Sequence, residues 1–515
     1  MENTGRIRKL LAPEARRILF SQSFGPEEQD ELRHISEVDL AHLLMLAECG
    51  IVPRDRAARL LAAIGRLRAE RFAPLGQRAS SRRLFLLYED YLIEMEGAET
   101  GGILQTARSR NDLNATVLKL RLRGPYLALL EQALRFHAIL LRRAKQYANV
   151  VMPLYTHGQA AMPTTYGHYL SAVASALGRD LDWIITAAHG MQSSPLGAGA
   201  AVGTSFPIQP ARAAALLGFD SWALNSLDAV ASRDLALRLL AAAAAYGATL
   251  SRLATDLMQW TTAEFGFLQL PDELVGSSSA MPQKRNPFLL EHVQGRAASL
   301  LGAFVQAGGA MHATPFTNCV AVGTEAMKPL HSALRNLREM IVLMRLNIAG
   351  AQLNRQAMLQ RAIAGFTTAT AFADRLVAGG KVDFRTAHHV VGTAVRKTLE
   401  DGNLSFAEVA GACVKDRGIA ASFHDLDPAS VVQKLEFGGG PGNSSLKHCL
   451  DRLREECSAQ YRGKQRQQRR WQAAQAALRE AVAGFTRSAQ KAQAPPDSVT
   501  EPEHLFVRRL RLALP

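Results

Sequence analysis

The feature that most constrains the fold is a set of long helix-forming stretches that contain few helix-breaking residues. Four of them occupy the middle of the chain, at 115–147, 167–188, 226–260 and 288–311. They consist largely of Ala and Leu, which have the highest helix propensities. The pattern predicts an all-α fold with a central bundle of long helices. We expect Gly124-Pro125 to kink or locally break the first stretch, because proline removes a hydrogen bond from a helix interior.

The size and composition of the chain predict several helical domains. The chain has 515 residues, of which 48% are hydrophobic, so a large core is available and disorder is excluded as the main state. From about residue 360, shorter patterns with Gly-rich joints replace the long stretches. The predicted divisions are an N-terminal helical domain (1–107), a central long-helix bundle (108–360), a C-terminal helical domain (361–490) and a linker with a basic tail (491–515).

Charge and cysteine content restrict the partners and the compartment. Lys and Arg number 60 against 46 for Asp and Glu, and the resulting net charge of +14 fits an anionic partner such as a polycarboxylate, a nucleic acid or an acidic surface. The five cysteines are scattered and form no CxxC pair, which indicates reduced thiols rather than disulfides or a zinc site. The N-terminus does not resemble a secretory signal, and the longest apolar stretch, 239–250, is too short to cross a membrane. We therefore expect a cytoplasmic protein without a membrane segment.

Polar loops of unusual composition separate the long helices. They lie at 106–116, 153–167, 195–207 and 274–287, and they are rich in Gly, Ser, Asn and Arg. Loops of this kind on a rigid helical scaffold commonly carry function. The sequence contains no phosphate-binding GxxxxGK[ST], no dinucleotide-binding GxGxxG and no HExxH or other metal-ligand spacing. These loops are therefore the candidate functional regions of the chain.

The Ser-rich loop at 274–287 combines three kinds of polar group. Ser278 lies between two further serines, and Lys284 and Asn286 follow shortly afterwards. A hydroxyl, a positive charge and an amide at this spacing can bind a carboxylate and hold a hydroxyl above it. The alternative is an exposed loop whose charges are simply solvated.

The loop at 153–167 contains a histidine between possible hydrogen-bonding groups, Thr156 and Gln159. His157 can exchange a proton near neutral pH, which suits an acid or base in catalysis. A single histidine often has a structural role instead, and that alternative stays open.

The loop at 106–116 presents a possible carboxylate-binding fork. Arg110 and Asn111 can together hold a carboxylate, and Asp112 could orient the arginine. The alternative is that Asn111 or Asp112 caps the helix that follows.

Five segments together resemble a known family. They read TARSRND, YTHGQAAMPTTYGHYL, PLGAGAAVGTSFPI, NSLDAVASRD and GSSSAMPQKRNP. In this order they are similar to the signature segments of the aspartase/fumarase superfamily, and within it of the argininosuccinate lyase branch. The resemblance extends from about residue 38 to residue 325.

This resemblance implies an architecture and a reaction. Such enzymes are all-α homotetramers in which the long helices of the subunits form one central bundle, and each active site is shared between three subunits. The reaction is the reversible anti elimination of an amine from an N-substituted L-aspartate, which releases fumarate without a metal or organic cofactor. The expected partners are this substrate, fumarate and copies of the chain, and nucleic acid is not expected.

The resemblance also implies residue roles. Ser278 would remove the Cβ proton, Lys284 would stabilise the dianionic aci-carboxylate that results, and His157 would direct protonation of the departing nitrogen. The implied substrate-binding residues are Ser109, Arg110, Asn111, Thr156, Gln159, Asn286 and Arg233.

One segment departs from the branch. Where argininosuccinate lyases read YNKDLQEDKE, this chain reads FTNCVAVGTE at 316–325, so the side chains expected to contact the arginine moiety are missing. That difference favours another N-succinyl amine as the substrate, for example of the ethylenediamine-disuccinate type, and argininosuccinate itself is the alternative. The competing hypothesis is an inactive homologue that binds an anionic partner through its basic surface. The complete set of Ser278, Lys284, Asn286 and His157 argues against it.

Overall fold

The computed structural model describes residues 11–19, 24–78, 84–379, 382–402, 404–419 and 425–493. The basic tail predicted at the C-terminus lies, from residue 494 onward, outside the described residues. The α-helices are α1 (Pro13–Leu19), α2 (Pro26–Glu48), α3 (Arg54–Ala69), α4 (Ala73–Gly76), α5 (Leu84–Glu96), α6 (Ala98–Gly101), α7 (Arg110–Gln146), α8 (Tyr166–Ala188), α9 (Pro210–Leu216), α10 (Ser226–Ala231), α11 (Asp234–Thr261), α12 (Phe288–Met311), α13 (Val320–Gly323), α14 (Leu330–Gly350), α15 (Arg355–Ala364), α16 (Ala369–Ala378), α17 (Phe384–Asp401), α18 (Phe406–Lys415), α19 (Pro428–Lys434) and α20 (Asn443–Gln493).

Extended structure is confined to four two-stranded ladders within the described residues. The strands are β1 (Val151–Thr156), β2 (Gln159–Thr165), β3 (Ser193–Ser194), β4 (Ser221–Trp222), β5 (Leu268–Gln269), β6 (Gly276–Ser277), β7 (Arg285–Asn286) and β8 (Gln352–Leu353). β1 pairs with β2, β5 with β8 and β6 with β7 in antiparallel fashion, whereas β3 and β4 are parallel. Short 3-10 turns occur at Gly102–Gln105, His189–Met191, Asp272–Leu274 and Glu325–Met327. The predicted all-α class is confirmed.

The largest core lies between α7, α8, α11, α12 and α14, which pack against one another as a bundle. Contacts at the helix ends give the directions. The start of α8 meets the end of α7, where Gly167 lies against the backbone of Ala144 and Ala148. Tyr169, near the start of α8, donates a hydrogen bond of 2.5 Å to Asp256, near the end of α11. Successive bundle helices therefore run antiparallel, and the loops between them collect at the two ends.

The structure corrects three local predictions. α7 has no local break at Gly124 and Pro125, because buried leucines on both sides, Leu122 and Leu129, hold it in the core, and a kink there stays a prediction. The stretch predicted as one helix at 226–260 is divided into α10 and α11 at Ser232, whose backbone is extended. The third difference concerns the loop at 153–167, which is mostly a β-hairpin formed by β1 and β2.

Two further cores flank the bundle. One joins α2, α3 and α5, and the other joins α16, α17 and α18. The 51-residue α20 packs along α7 and α8 and reaches the first of these cores, to which it contributes Leu478 and Phe485. At about 1.5 Å per residue this helix is roughly 75 Å long. It ties the N-terminal helices to the bundle, and the domain limits stay a prediction. Across the described ranges, no helix is both long and apolar enough to cross a bilayer.

Two glycine substitutions test the close contact between α7 and α8. A Cβ atom at Gly167 would lie 2.4 Å from the Ala144 carbonyl oxygen and 2.8 Å from the Ala148 Cα. Because these neighbours are backbone atoms, Gly167→Ala is expected to lower the free energy of unfolding by about 1–3 kcal/mol. Gly65 in α3 has nothing within 4 Å of this position, so Gly65→Ala should instead raise it by about 0.5–1 kcal/mol. Urea denaturation of both variants measures the two effects, and a neutral Gly167→Ala would contradict the assigned packing.

Candidate active site

The N-terminus of α7 is built around the buried carboxylate of Asp112. Ser109 is the N-cap residue, and its hydroxyl oxygen accepts from the Asn111 N–H at 3.3 Å. The Asp112 carboxylate accepts from the N–H groups of Ser109, Leu113, Gly197 and Gly199 at 3.0–3.1 Å. Burial raises its pKa, and the hydrogen bonds oppose that effect. Asp112 thus binds the loop at 195–207 to the N-terminal turn of α7. The prediction that it orients Arg110 is wrong. The N-cap residue is Ser109 rather than Asn111 or Asp112, but Asp112 completes the capping box with Ser109.

Asn111 connects three segments at this end of the bundle. Its side-chain amide donates to the Ala200 carbonyl at 2.8 Å, and its amide oxygen accepts from Asn318 at 2.9 Å. Arg110 is exposed beside it and makes no ion pair within the described part of the chain. We call this region the α7 corner: residues 109–112, 197–200 and Asn318. It brings together two of the predicted loops and the segment that departs from the argininosuccinate lyase pattern.

The segment before α7 is anchored to α2. Arg108 and Asp39 form an ion pair in which each side chain is only 1% exposed. Burial lowers the pKa of His42 to about 3, so its ring is neutral and its Nε2 can donate to the Thr106 carbonyl at 2.8 Å. These contacts fix the direction in which the chain enters the α7 corner.

Buried positive charge lies next to the α7 corner. Lys119, further along α7, donates a hydrogen bond to the Ser193 carbonyl at 2.8 Å. Burial lowers the pKa of Lys119 to about 8, and repulsion from Arg233 is the next largest cause. Arg233 precedes α11 and is 6% exposed, and burial lowers its pKa to about 10. The positive charges of Lys119 and Arg233 together favour an anionic ligand at this end of the bundle.

The segment around His157 is the tip of the β1–β2 hairpin. Thr156 and Gln159 face each other across the ladder, and His157 and Gly158 form the two-residue turn between them. Both turn residues have positive φ, +53° and +74°, as a type I′ turn requires. All four side-chain positions are exposed, so Thr156, His157 and Gln159 are presented outward.

The Ser-rich loop is closed at its base by the β6–β7 ladder, which pairs Gly276 with Asn286 and Ser277 with Arg285. Residues 278–284 form its tip. The Ser278 hydroxyl oxygen accepts from the Met281 N–H at 3.0 Å and from the Ala280 N–H at 3.3 Å. Lys284, at the other end of the tip, is exposed. Two N–H groups aimed at one hydroxyl oxygen are the donors that would stabilise an alkoxide.

These features lie at opposite ends of the bundle. The Ser-rich loop directly precedes α12, and Asn318 follows the other end of this 24-residue helix, about 36 Å away. The β1–β2 hairpin shares the end of the Ser-rich loop, since Tyr155 packs against Phe265 and Phe267 ahead of that loop. One chain therefore keeps Ser278 and His157 at one end and the α7 corner with Arg233 at the other.

Comparison with known proteins gives the family. A family model described as lyase matches residues 87–302, and one described as the argininosuccinate lyase C-terminal region matches residues 366–433. The argininosuccinate lyase of Methanococcoides burtonii is 34% identical over 424 residues, covering 81% of this chain and 86% of that protein. The chain belongs to the argininosuccinate lyase family. This confirms the family predicted from the loops, and it makes the chain a lyase that acts on carbon–nitrogen bonds.

Other members of the family and its solved relatives agree. The argininosuccinate lyase of Methanoculleus marisnigri is 37% identical over 417 residues, covering 79% of this chain and 84% of that protein. A crystal structure of EDDS lyase in complex with formate superposes with a TM-score of 0.82 at 27% identity, covering 92% of this chain and 98% of that one. A class II fumarase from Schistosoma mansoni, at 16% identity and a TM-score of 0.63, shares the fold.

Sequence reasoning missed four residues at or beside the α7 corner. Asn318 stood out only as a departure from the family pattern, yet its amide holds Asn111. Lys119 is one of several basic residues along α7, and nothing in the sequence marks it as buried. Gly197 and Gly199 carried a signal, because closely spaced glycines allow backbone N–H groups to approach an anion, here Asp112.

Removing the Asp112 carboxylate should destabilise the α7 corner strongly. Asp112→Ala leaves three backbone N–H groups, those of Ser109, Gly197 and Gly199, without their acceptor, and we expect a loss of about 3 kcal/mol or more in the free energy of unfolding. Asp383 is the control, because it is an exposed N-cap whose carboxylate also accepts from a backbone N–H, that of Thr386. Asp383→Ala should cost about 1 kcal/mol. Denaturant unfolding compares the two variants. Equal losses in the free energy of unfolding would show that Asp112 contributes no more than an ordinary exposed N-cap.

Proposed function

We propose that this enzyme releases fumarate from an N-substituted L-aspartate by reversible anti elimination. The Cβ proton passes to an enzymatic base, the Cα–N bond breaks, and its electron pair leaves with the amine nitrogen, which acquires a proton. The observation that carries the assignment is the tip of the Ser-rich loop, where two N–H groups at 3.0 and 3.3 Å meet the Ser278 oxygen. These two hydrogen bonds would lower the free energy needed to form a serine alkoxide, which is higher for a hydroxyl without such donors.

Each residue at the loop ends has a role in this scheme. Ser278 takes the Cβ proton, and Lys284 stabilises the aci-carboxylate dianion that develops after proton removal. His157, at the tip of the hairpin, directs protonation of the leaving nitrogen. The carboxylates of the substrate bind to residues at both bundle ends, namely Ser109, Arg110, Asn111, Arg233, Thr156, Gln159 and Asn286.

We further propose that the site forms between chains of a homotetramer, with three subunits contributing to each site. A succinyl group contains only four carbon atoms and cannot span the distance of about 36 Å along α12. An antiparallel copy would place its Ser-rich loop beside the α7 corner of the first chain. The separation of the two ends within one chain supports this arrangement.

The exposed face of α12 supports self-association. From Ala297 to Met311 this helix has no charged residue, and Leu301 and Val305 are 57% and 61% exposed. Gly295, Gly302 and Gly309 recur every seven residues, and nothing lies within 4 Å of a Cβ built on any of them. An uncharged apolar helix face is typical of a subunit interface.

We assign the enzyme to amino-acid metabolism in the cytoplasm. All five cysteines are free, including the buried Cys413, as expected of a protein that works in a reducing compartment.

The first test concerns the base. Ser278→Ala should lower kcat by roughly 10²–10⁴-fold, because its hydroxyl is the group that receives the Cβ proton. Fumarate formation from a panel of N-substituted L-aspartates, followed by its ultraviolet absorbance, measures the loss. Ser277→Ala is the matched control, since Ser277 belongs to the β6–β7 ladder and should retain normal turnover. Near-normal activity of purified Ser278→Ala would disprove the assignment.

The second test concerns sharing between chains. Tetramers of Ser278→Ala and of Arg110→Ala are each expected to be inactive or nearly so. If a site takes these residues from different chains, mixing and reassembly at equal amounts should restore activity in up to about a quarter of the sites. Native mass spectrometry confirms that mixed tetramers have formed.

The control for this mixing uses two residues of the same tip. Ser278→Ala and Lys284→Ala both lie within residues 278–284, so no chain in their mixture offers an intact tip. That mixture should stay inactive at every ratio. Recovery with this pair, or none with the Ser278→Ala and Arg110→Ala pair in confirmed mixed tetramers, would contradict the shared site.

A further inference from the structure

The surroundings of the α7 corner bear on the part of the substrate that leaves as the amine. Asn111 holds Asn318 on one side and the Ala200 carbonyl on the other, at 2.9 and 2.8 Å. The segments that carry Asn318 and Ala200 therefore border the same position. Their outward-facing side chains are those that a group attached to the bound aspartate would meet.

These side chains are apolar. Phe316 and Val320, which flank Asn318, are 67% and 60% exposed. On the opposite side, Val202 is 89% exposed and Leu224 is fully exposed. The Ser226 hydroxyl donates to the Ala201 carbonyl at 2.9 Å and so keeps the chain that carries Leu224 beside this loop. We name Val202, Leu224, Phe316 and Val320 the apolar rim.

The acidic residues of the described chain near the rim are Glu325, Asp234 and Asp228. Residues 313–324 contain no charged side chain, and the next acidic residue, Glu325, is paired with Lys328. Asp234 is paired with Arg238, and Asp228 lies close enough to Lys119 to oppose the fall in its pKa. Arg110, Lys119 and Arg233 add positive charge. A guanidinium or ammonium group on the amine would therefore meet net repulsion, because these three cations outnumber Asp228, the exposed carboxylate near the rim that makes no ion pair in the described chain.

We infer that the leaving amine is apolar, an aromatic or aliphatic amine without a second charge, and that Phe316 and Val320 contact it. The inference rests on the proposed elimination of an amine from an N-substituted aspartate. Positive charge at the corner attracts the two carboxylates of the aspartate, whereas the rim removes the apolar amine from water. Burying a side chain the size of a phenyl ring favours binding by on the order of tenfold to a hundredfold.

Substrate comparison provides the decisive measurement. N-benzyl-L-aspartate, argininosuccinate and ethylenediamine-disuccinate are each offered to the intact enzyme, and fumarate release gives kcat/KM. The reverse reaction is measured with fumarate and benzylamine or arginine. We expect the benzyl compound to exceed the other two by at least about tenfold. A higher kcat/KM for argininosuccinate or ethylenediamine-disuccinate would overturn the inference while supporting the elimination. Absence of fumarate from every substrate would instead refute the proposed function.

Substitutions of two exposed rim residues test whether a loss of activity is specific to the rim or follows from any new charge on the surface. Phe316→Glu and, independently, Val320→Glu should lower kcat/KM for N-benzyl-L-aspartate by about tenfold or more and leave inhibition by fumarate unchanged. Leu399→Glu is the control, because Leu399 in α17 is exposed to the same extent, 68%, but lies on the separate group of helices α16, α17 and α18. A loss equal to that of the control, an equal weakening of fumarate, or dissociation of the oligomer would each overturn the assignment of these residues to the amine.

Discussion

The length of the bundle helices is the constraint on which the site depends. Because α7 and α12 run without interruption for 37 and 24 residues, the loops at their ends are held far apart. A rigid scaffold of this kind positions each loop accurately, but it prevents one chain from closing a site around a four-carbon substrate. The proposed elimination would then require association of chains, for which the uncharged outer face of α12 offers a surface.

The two ends of the bundle carry different parts of the proposed site. At one end, Asp112 gathers backbone N–H groups from α7 and from the loop at 195–207, and Lys119 and Arg233 supply positive charge from buried positions. This end suits recognition of carboxylates. At the other end, the Ser278 tip and the hairpin that carries His157 are exposed, so they can reach a substrate held by another chain. Anchored binding groups and presented reactive groups are thus kept on different parts of the fold.

The proposed arrangement places the residues for the aspartate half of the substrate and those for the amine half on different parts of the fold. In the proposed function, the residues for the aspartate half come from helix ends and ladders whose backbone is fixed by many hydrogen bonds. In the inferred site the amine half instead meets Phe316, in the loop before Asn318, and Val320, the first residue of the short helix α13. Side chains there can change without disturbing the bundle, because their exposure means that little packing depends on them. Relatives named for argininosuccinate and for EDDS already differ in their amine.

The sequence by itself determined the fold class, the family and the enzyme class, because helix periodicity and loop motifs are local signals that no long-range contact overrides here. It also identified Ser278, Lys284 and His157 as candidates. Only the tertiary structure decided that Asp112 binds Gly197 and Gly199 rather than Arg110, and that Asn318 holds Asn111. It also decided that α7 passes through Pro125, since the energy of burying both flanks outweighs one missing hydrogen bond. Such outcomes depend on contacts between residues about 80 to 210 positions apart, and local sequence patterns carry no record of them.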